Sequence, residues 1–194
     1  MPKLPISLLT LALAAAASLA GQEVPRKAGE WAIQVPNAKP ISLADYKGKP
    51  VVLAFVLTTC PHCRHCVELL NKLQPDYARR GVNIVASAID QNPATAVPLF
   101  IKYMHPPFPV GFNDPNAVLT FGNYSPTRLP HMPILLFIDR HGMVREQHDG
   151  GESDYFGDKE EESLRKSLDS LLAPAKPAPA KAAVRKTTAA QPKQ

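Results

Sequence analysis

The segment FVLTTCPHCRHC, residues 55–66, holds all three cysteines of the chain at a spacing of three, with two histidines among them. It overlaps the apolar run VVLAFVL at 51–57, which is typical of a buried strand. Pro61 suits the first position of a helix, and apolar or soft residues then recur at helical spacing from 63 to 77. The pattern predicts a strand, a short turn and a helix that begins at the cysteines.

The predicted geometry gives the first two cysteines different environments. Cys60 stands at the helix N-terminus, where free N–H groups and the helix dipole stabilise a thiolate, and a protonated His62 adds to that stabilisation. A thiolate is a nucleophile, and Cys63, one turn further on, is placed to resolve a mixed disulfide. The pattern therefore predicts a catalytic redox pair of Cys60 and Cys63, whose potential is tuned by Pro61 and His62.

Less reactive interpretations remain open for these cysteines. Cys60 and Cys63 could form an inert structural disulfide, although a three-residue spacing closes too small a loop to constrain an unfolded chain much. Cys66 falls on the buried face and is predicted to be a core thiol, since free cysteine packs as a small hydrophobe. A resolving or metal-binding role is the alternative for Cys66.

The first twenty residues have the pattern of a secretory signal peptide. Residues 1–20 contain Lys3, a Leu/Ala-rich run and a small-x-small ending at Ser18 and Ala20. An uncleaved membrane anchor is the alternative. The length of the apolar run is marginal for this role, because a helix needs about 20 residues to span a bilayer. We expect cleavage and a periplasmic or secreted mature chain, in a compartment where disulfides persist.

The other end of the chain is predicted to be a disordered tail. Residues 173–194 are rich in Ala, Pro and Lys and have almost no large apolar side chain, so they cannot offset their ordering entropy by burial. They carry five of the basic residues and no acid, whereas the net charge of the whole chain is +5. We interpret the tail as a solvated spacer, with weak attachment to an anionic surface as the alternative, and predict no nucleic-acid partner.

The remaining residues, 21–172, have the length of one domain. Strand-like runs alternate with helical ones, which favours an α/β sheet covered on both faces. The predicted strands are WAIQV (31–35), 51–57, VNIVASAI (82–89), ILLFID (134–139) and MVREQH (143–148); the predicted helices are a turn in 42–49, the helix after the cysteines, 97–104 with Pro98 near its start, and 159–172.

These motifs together resemble the thioredoxin superfamily. The order of strand, Cys60-Pro61-His62-Cys63, helix and a late Pro133 before a strand is similar to that superfamily, and ISLADYKGKPVVLAFVLTTCPHC and MPILLFIDRHGMV resemble its exported TlpA/ResA-like branch. The resemblance spans about residues 28–172. It implies a thioredoxin fold with a central mixed sheet and helices on both faces, in a monomeric enzyme without a cofactor.

The same resemblance implies a function and a substrate groove. It predicts thiol–disulfide exchange with cysteine-containing exported proteins, and a membrane or soluble redox partner that regenerates the enzyme. Met132 and Pro133 are predicted to be joined by a cis bond beside Cys60, where the backbone of Met132 binds an extended substrate segment. A trans proline that opens the following strand is the alternative.

The chain departs from that family at three positions near the cysteines. Thr59 stands where the family usually has tryptophan, Cys66 where the TlpA/ResA-like branch often has an acid, and Ala54 where thioredoxin has a buried acid. The pair Pro61-His62 instead resembles that of DsbA, a strong oxidant. This favours disulfide donation, since a stabilised thiolate makes the disulfide more oxidising, but it leaves the direction of exchange open.

The main alternative function is that of a Cu(I) metallochaperone of the cell envelope. Thiolates and imidazoles at 60, 62, 63, 65 and 66 suit Cu(I). However, the Cys-x-x-x-Cys-Pro pattern that is typical of Sco-like copper chaperones is absent. Motifs for zinc, c-type haem and peroxidase activity are also absent. Arg64 stands where c-type haem attachment needs a histidine, and Leu53 and Leu57 stand where a peroxiredoxin has a proline and a threonine before its cysteine. We therefore predict no metal and no cofactor.

Overall fold

The structure is a computed structural model that describes residues 23–125, 127 and 129–174. The predicted signal peptide at 1–20 and nearly all of the predicted tail lie outside the described residues, so both stay predictions. Within the described ranges, no helix is long and apolar enough to cross a membrane.

A six-stranded mixed sheet forms the centre of the fold, in the strand order β1-β8-β7-β4-β5-β6. Strands β4, β5 and β6 are parallel, whereas β7 runs antiparallel to β4, β8 to β7 and β1 to β8. Strands β2 and β3 form a separate antiparallel pair. The strands are β1 (Arg26–Lys27), β2 (Ala32–Ile33), β3 (Ile41–Ser42), β4 (Val51–Val56), β5 (Asn83–Ala88), β6 (Val110–Phe112), β7 (Ile134–Ile138) and β8 (Met143–Asp149).

Strand β4 is buried along its whole length because both faces of the sheet are covered. Val52, Ala54 and Val56 pack into one hydrophobic cluster together with α1, α2 and α5. The alternate residues of the strand pack into a second cluster on the other face, which includes α3 and the β2 region. The helices are α1 (Pro61–Arg79), α2 (Pro93–Met104), α3 (Pro115–Phe121), α4 (Ser153–Phe156) and α5 (Glu160–Leu172), with a 3-10 turn at Leu43–Tyr46.

The predicted class is confirmed, since a central mixed sheet carries helices on both faces, but one predicted boundary is wrong. Helix α2 begins at Pro93, so Pro98 lies inside it and not near its start. Two prolines compete for the first helical position, and the earlier one takes it. The interior Pro98 is tolerated because Val97 and Phe100 anchor this helix in the core.

Five short elements were not predicted from the sequence: β1, β3, β6, α3 and α4. Strand β6 has three residues and pairs with the edge of β5. Helix α3 begins at Pro115 and is capped by Asp114, whose carboxylate accepts hydrogen bonds from the N–H groups of Asn116 and Ala117. Such short elements carry too little periodicity to predict, because their stability depends on packing against the rest of the fold.

Candidate active site

Cys60 occupies the cap position of α1, directly beyond the end of β4. Its backbone is extended, with φ −73° and ψ 124°, and Pro61 takes the first helical position. The N–H of Cys60 donates to the carbonyl of Leu57 (3.1 Å), and its carbonyl accepts from the N–H of Arg64 (3.1 Å). Cys60 is half-buried, so its sulfur lies at the positive end of a 19-residue helix within reach of solvent.

Cys63 lies one turn further along α1 in a different environment. It is fully buried, its Sγ accepts a hydrogen bond from the N–H of Leu57 (3.4 Å), and its thiol lies close to that of Cys60. Burial raises the pKa of the Cys63 thiol far above its ordinary value, and Cys60 and Asp90 add to the rise. Cys63 is therefore held as a neutral thiol, whereas Cys60 is accessible to a substrate.

The loop between β4 and α1 is fixed by a carboxylate from the neighbouring strand. Asp90 follows the end of β5 and accepts hydrogen bonds from the backbone N–H of Thr58 (3.1 Å) and from its hydroxyl (2.8 Å). On the other side, Nε of Arg64 donates to the carbonyl of Thr58 (2.8 Å). These contacts fix the backbone immediately before Cys60, and they place the carboxylate of Asp90 close to Cys63.

Cys66 is buried, as the sequence predicted, and lies against a second carboxyl group. Glu160, the first residue of α5, is only 5% exposed and interacts with the Cys66 thiol. Burial and the nearby Glu160 raise the pKa of Cys66 well above its ordinary value. Burial likewise raises the pKa of Glu160, against the opposing influence of Cys66, His65 and His62.

Both carboxyl groups were missed by the sequence analysis, which found no acid at the two positions where relatives have one. Asp90 is thirty residues beyond Cys60 and Glu160 a hundred. The pairing of β5 with β4 and the packing of α5 on α1 bring them to the cysteines. The acidic run at the start of α5 was visible in the sequence, but nothing in it indicated which glutamate points inward.

The Met132–Pro133 bond is cis, as predicted. Pro133 is buried and Met132 half-buried, and Ile134, the next residue, pairs with Phe55 near the end of β4 that leads to Cys60. Gly150 donates its N–H to the carbonyls of His131 and Pro133, and a Cβ at this glycine would lie 2.5 Å from the carbonyl oxygen of Met132. The segment therefore lies at the same end of the sheet as Cys60, while their direct contact stays a prediction.

The two histidines of the motif are both exposed. Nε2 of His65 lies 3.8 Å from Oε2 of Glu160, and the predicted tuning of the redox potential by Pro61 and His62 stays a prediction. The described residues contain no group of three or more His, Cys, Asp or Glu side chains that could hold a metal ion. A half-open cavity of about 940 Å³ lies at the opposite end of β4, beside Trp31 and Tyr46, away from the cysteines.

A dithiol at the start of a helix, with one accessible and one buried sulfur, defines the class of thiol–disulfide exchange proteins. The Redoxin family model matches residues 20–168. The thiol-disulfide oxidoreductase ResA of a Bacillus cereus strain is 31% identical over 125 residues, which make up 64% of this chain and 69% of that protein. ResA of a Geobacillus kaustophilus strain is 32% identical over 104 residues, 54% of this chain and 56% of that protein.

Solved structures show the same architecture. A thiol:disulfide interchange protein of the thioredoxin family from Chlorobium tepidum TLS superposes with a TM-score of 0.63 at 24% identity, covering 79% of this chain and all of that one. A secreted Mycobacterium tuberculosis disulfide oxidoreductase homologous to E. coli DsbE gives a TM-score of 0.57 at 18% identity, covering 73% and 96%. The chain therefore belongs to the Redoxin family of the thioredoxin superfamily, among the ResA/DsbE-like thiol-disulfide oxidoreductases. The predicted fold and enzyme class are confirmed.

Proposed function

We propose that the protein exchanges disulfides with cysteine-containing exported proteins through Cys60 and Cys63, in the periplasm or outside the cell. In one direction the Cys60 thiolate attacks a substrate disulfide, forms a mixed disulfide and releases one substrate thiolate. Cys63 then loses its proton and attacks Cys60 Sγ, which releases the second substrate thiolate. Two electrons pass to the substrate, and the enzyme is left with a Cys60–Cys63 disulfide that a membrane or soluble redox partner reduces again.

The difference in burial between the two sulfurs is the observation that carries this assignment. Cys60 reaches solvent at a helix N-terminus, so a substrate sulfur can approach it. Cys63 is fully buried beside Cys60, so a substrate sulfur cannot reach it, and it can attack only Cys60 Sγ once Cys60 holds a substrate in a mixed disulfide. An inert disulfide would need no such asymmetry.

The segment at Met132 and Pro133 supports a substrate groove. The N–H of Met132 is not hydrogen-bonded to another described residue, so it is available to an extended peptide, whereas the carbonyl oxygen lies against Gly150. A substrate segment that pairs with this N–H would lie next to the sulfur that it exchanges with.

The direction of exchange depends on the redox potential and on the partner. The Pro61-His62 pair favours an oxidising disulfide, because stabilisation of the Cys60 thiolate stabilises the reduced enzyme. Equilibration with glutathione buffers would measure this potential. A value close to that of DsbA indicates disulfide donation, and a value close to that of thioredoxin indicates reduction.

Serine variants of the three cysteines test the assignment. C63S is expected to trap a mixed disulfide with a cysteine-containing substrate, because the resolving thiol is missing, whereas C60S traps none. Insulin reduction should be lost in both variants and at most slowed in C66S, and mass spectrometry identifies the trapped sulfur. A C60S variant that still forms mixed disulfides would overturn the proposed roles.

The same variants distinguish the Cu(I) metallochaperone. That function requires stoichiometric Cu(I) binding that depends on Cys66 or a histidine, with little disulfide exchange. The exchange function requires activity that survives chelators and depends on Cys60 and Cys63. Cu(I) titration of the wild type and of C66S under anaerobic conditions separates the two outcomes.

A further inference from the structure

The Cys63 proton needs an acceptor, because a buried neutral thiol cannot attack a disulfide until it is deprotonated. Two carboxyl groups lie close to the cysteines. Both oxygens of Asp90 already accept hydrogen bonds from Thr58. By contrast, Oε1 of Glu160 is buried and has no hydrogen-bond partner among the described residues. Glu160 is therefore the carboxyl group near the cysteines that has a buried and unused acceptor oxygen.

The surroundings of Glu160 connect the interior with the surface. On its inner side is the thiol of Cys66, which lies one turn beyond Cys63 on the same buried face of α1. On its outer side, Oε2 lies 3.8 Å from Nε2 of His65, whose side chain is 60% exposed. A buried carboxyl group thus lies between a row of buried thiols and an imidazole in contact with solvent.

We propose that Glu160 is a positioning residue that accepts the Cys63 proton by way of the Cys66 thiol and returns it to solvent through His65. This inference rests on the proposed function, because it concerns the resolving step. As Cys63 attacks Cys60 Sγ, its proton passes to Cys66 Sγ while the Cys66 proton passes to the Glu160 carboxylate. Cys66 is a neutral thiol before and after the step, and Glu160 becomes a neutral acid until His65 takes the proton.

The charged and titratable groups around this path come from several elements. His62 and His65 of α1 face Glu160 and favour its ionised form, whereas burial disfavours it. The hydroxyl of Tyr155, in α4, faces Cys66, and Asp90, after β5, faces Cys63. Burial favours proton uptake by the Glu160 carboxylate, and the nearby imidazoles favour release of that proton.

Single-turnover reaction with dithiobis-nitrobenzoate (DTNB) isolates the resolving step. Reduced wild-type protein should release one coloured thiolate as Cys60 attacks, at a rate proportional to DTNB concentration. It should release a second as Cys63 resolves the adduct, at a rate independent of that concentration. We expect E160Q to keep the first phase and to slow the second by about tenfold or more at pH 7.

The pH profile separates proton transfer from a purely structural effect. In the wild type the second phase should slow as the pH falls and Glu160 becomes protonated, and it should level off at higher pH. In E160Q it should rise by about tenfold per pH unit throughout, because hydroxide must take the proton. E162Q is the matched control, since Glu162 is the exposed neighbour in the same helix turn, and it should behave like the wild type.

Each outcome bears on one of the two proposals. A wild type with no second phase contradicts the resolving role of Cys63 and hence the proposed function itself. A normal second phase in E160Q, with the wild-type pH profile, overturns the role of Glu160 alone. If E160Q does not fold, H65A decides, because His65 is exposed: a second phase equal to that of the wild type at every pH overturns the path, and a slower one supports it.

Discussion

At the scale of single residues, the chemistry depends on a difference between two sulfurs three positions apart. Cys60 caps a helix and reaches solvent, while Cys63 points into the core. Helix geometry alone produces this difference, since a residue at the cap and one in the first turn face different surroundings. His62, between them, is exposed and close enough in sequence to act on Cys60 as a charge.

Replacement of His62 tests that charge effect. H62A is expected to slow alkylation of Cys60 by iodoacetamide below neutral pH by about 2–5-fold, since one nearby charge at a helix end contributes about 0.3–1 kcal/mol. The measurement is the alkylation rate of the fastest thiol, identified by mass spectrometry. H141A is the control, because His141 lies at the far end of the sheet beside the cavity. Equal rates for H62A and the wild type would show that His62 has no such effect.

At the scale of elements, the site depends on how β5 and α5 are placed against α1. The parallel pairing of β5 with β4 carries Asp90 to the loop that precedes Cys60. Thr58 is 5% exposed, and its hydroxyl and N–H are both bonded to that carboxylate. The position of Cys60 therefore depends on a strand that is distant from it in sequence.

The variant T58V tests this connection between β5 and the loop. Valine keeps the shape of threonine but removes the hydroxyl donor and leaves one oxygen of Asp90 with fewer partners. We expect a loss of about 1–2 kcal/mol in the free energy of unfolding, measured by urea denaturation. T59V is the matched control, because Thr59 is exposed and should change stability little. Equal stabilities of T58V and T59V would show that the bond to Asp90 contributes nothing measurable.

At the scale of the whole molecule, a polar network joins β8, α4 and α5. Glu146 accepts hydrogen bonds from the hydroxyls of Ser167 and Ser170, and His148 lies between Glu146 and Glu152, stacked on the ring of Tyr155. Burial alone would raise the pKa of Glu146, but its partners hold it at about 2. Burial alone would lower the pKa of His148, but the two carboxylates raise it above its ordinary value.

This network predicts how stability depends on pH. The contribution of Glu146 is present above its ordinary pKa of 4.5 and is lost as the pH falls towards 2. The contribution of His148 is present below 6.5 and is lost as the pH rises through its raised pKa. We expect E146Q to cost about 1–2 kcal/mol between pH 5 and 6.5, since the Glu146 side chain is 32% exposed and partly screened.

The measurement is the unfolding free energy of E146Q and of wild type by urea denaturation from pH 2 to 9. The difference between them should be largest near pH 5–6 and should shrink towards both ends. E162Q, in the exposed part of α5, should show no such maximum. A difference that does not vary with pH would mean that packing of the glutamate, and not its charge, stabilises this region.

The features of this protein that depend on neighbours along the chain could be predicted from its sequence. The apolar run at 51–57, Pro61 and the helical spacing after it placed Cys60 at a helix cap and Cys63 and Cys66 on the buried face, as the structure confirms. The motif around Met132 and Pro133 indicated the cis bond through its resemblance to a known family. These predictions hold because strand and helix periodicities are local properties.

The charged groups that reach the cysteines could not be predicted in this way, because tertiary packing selects them. The two positions where relatives have an acid hold Ala54 and Cys66 here, and carboxyl groups come from Asp90 and Glu160 instead. Sequence reasoning could not select them, because Asp90 is far from the cysteines along the chain and Glu160 stands in a run of three glutamates that differ only in where their side chains point. Strand pairing and helix docking fix that direction, and both are set by burial of apolar side chains far apart in the chain.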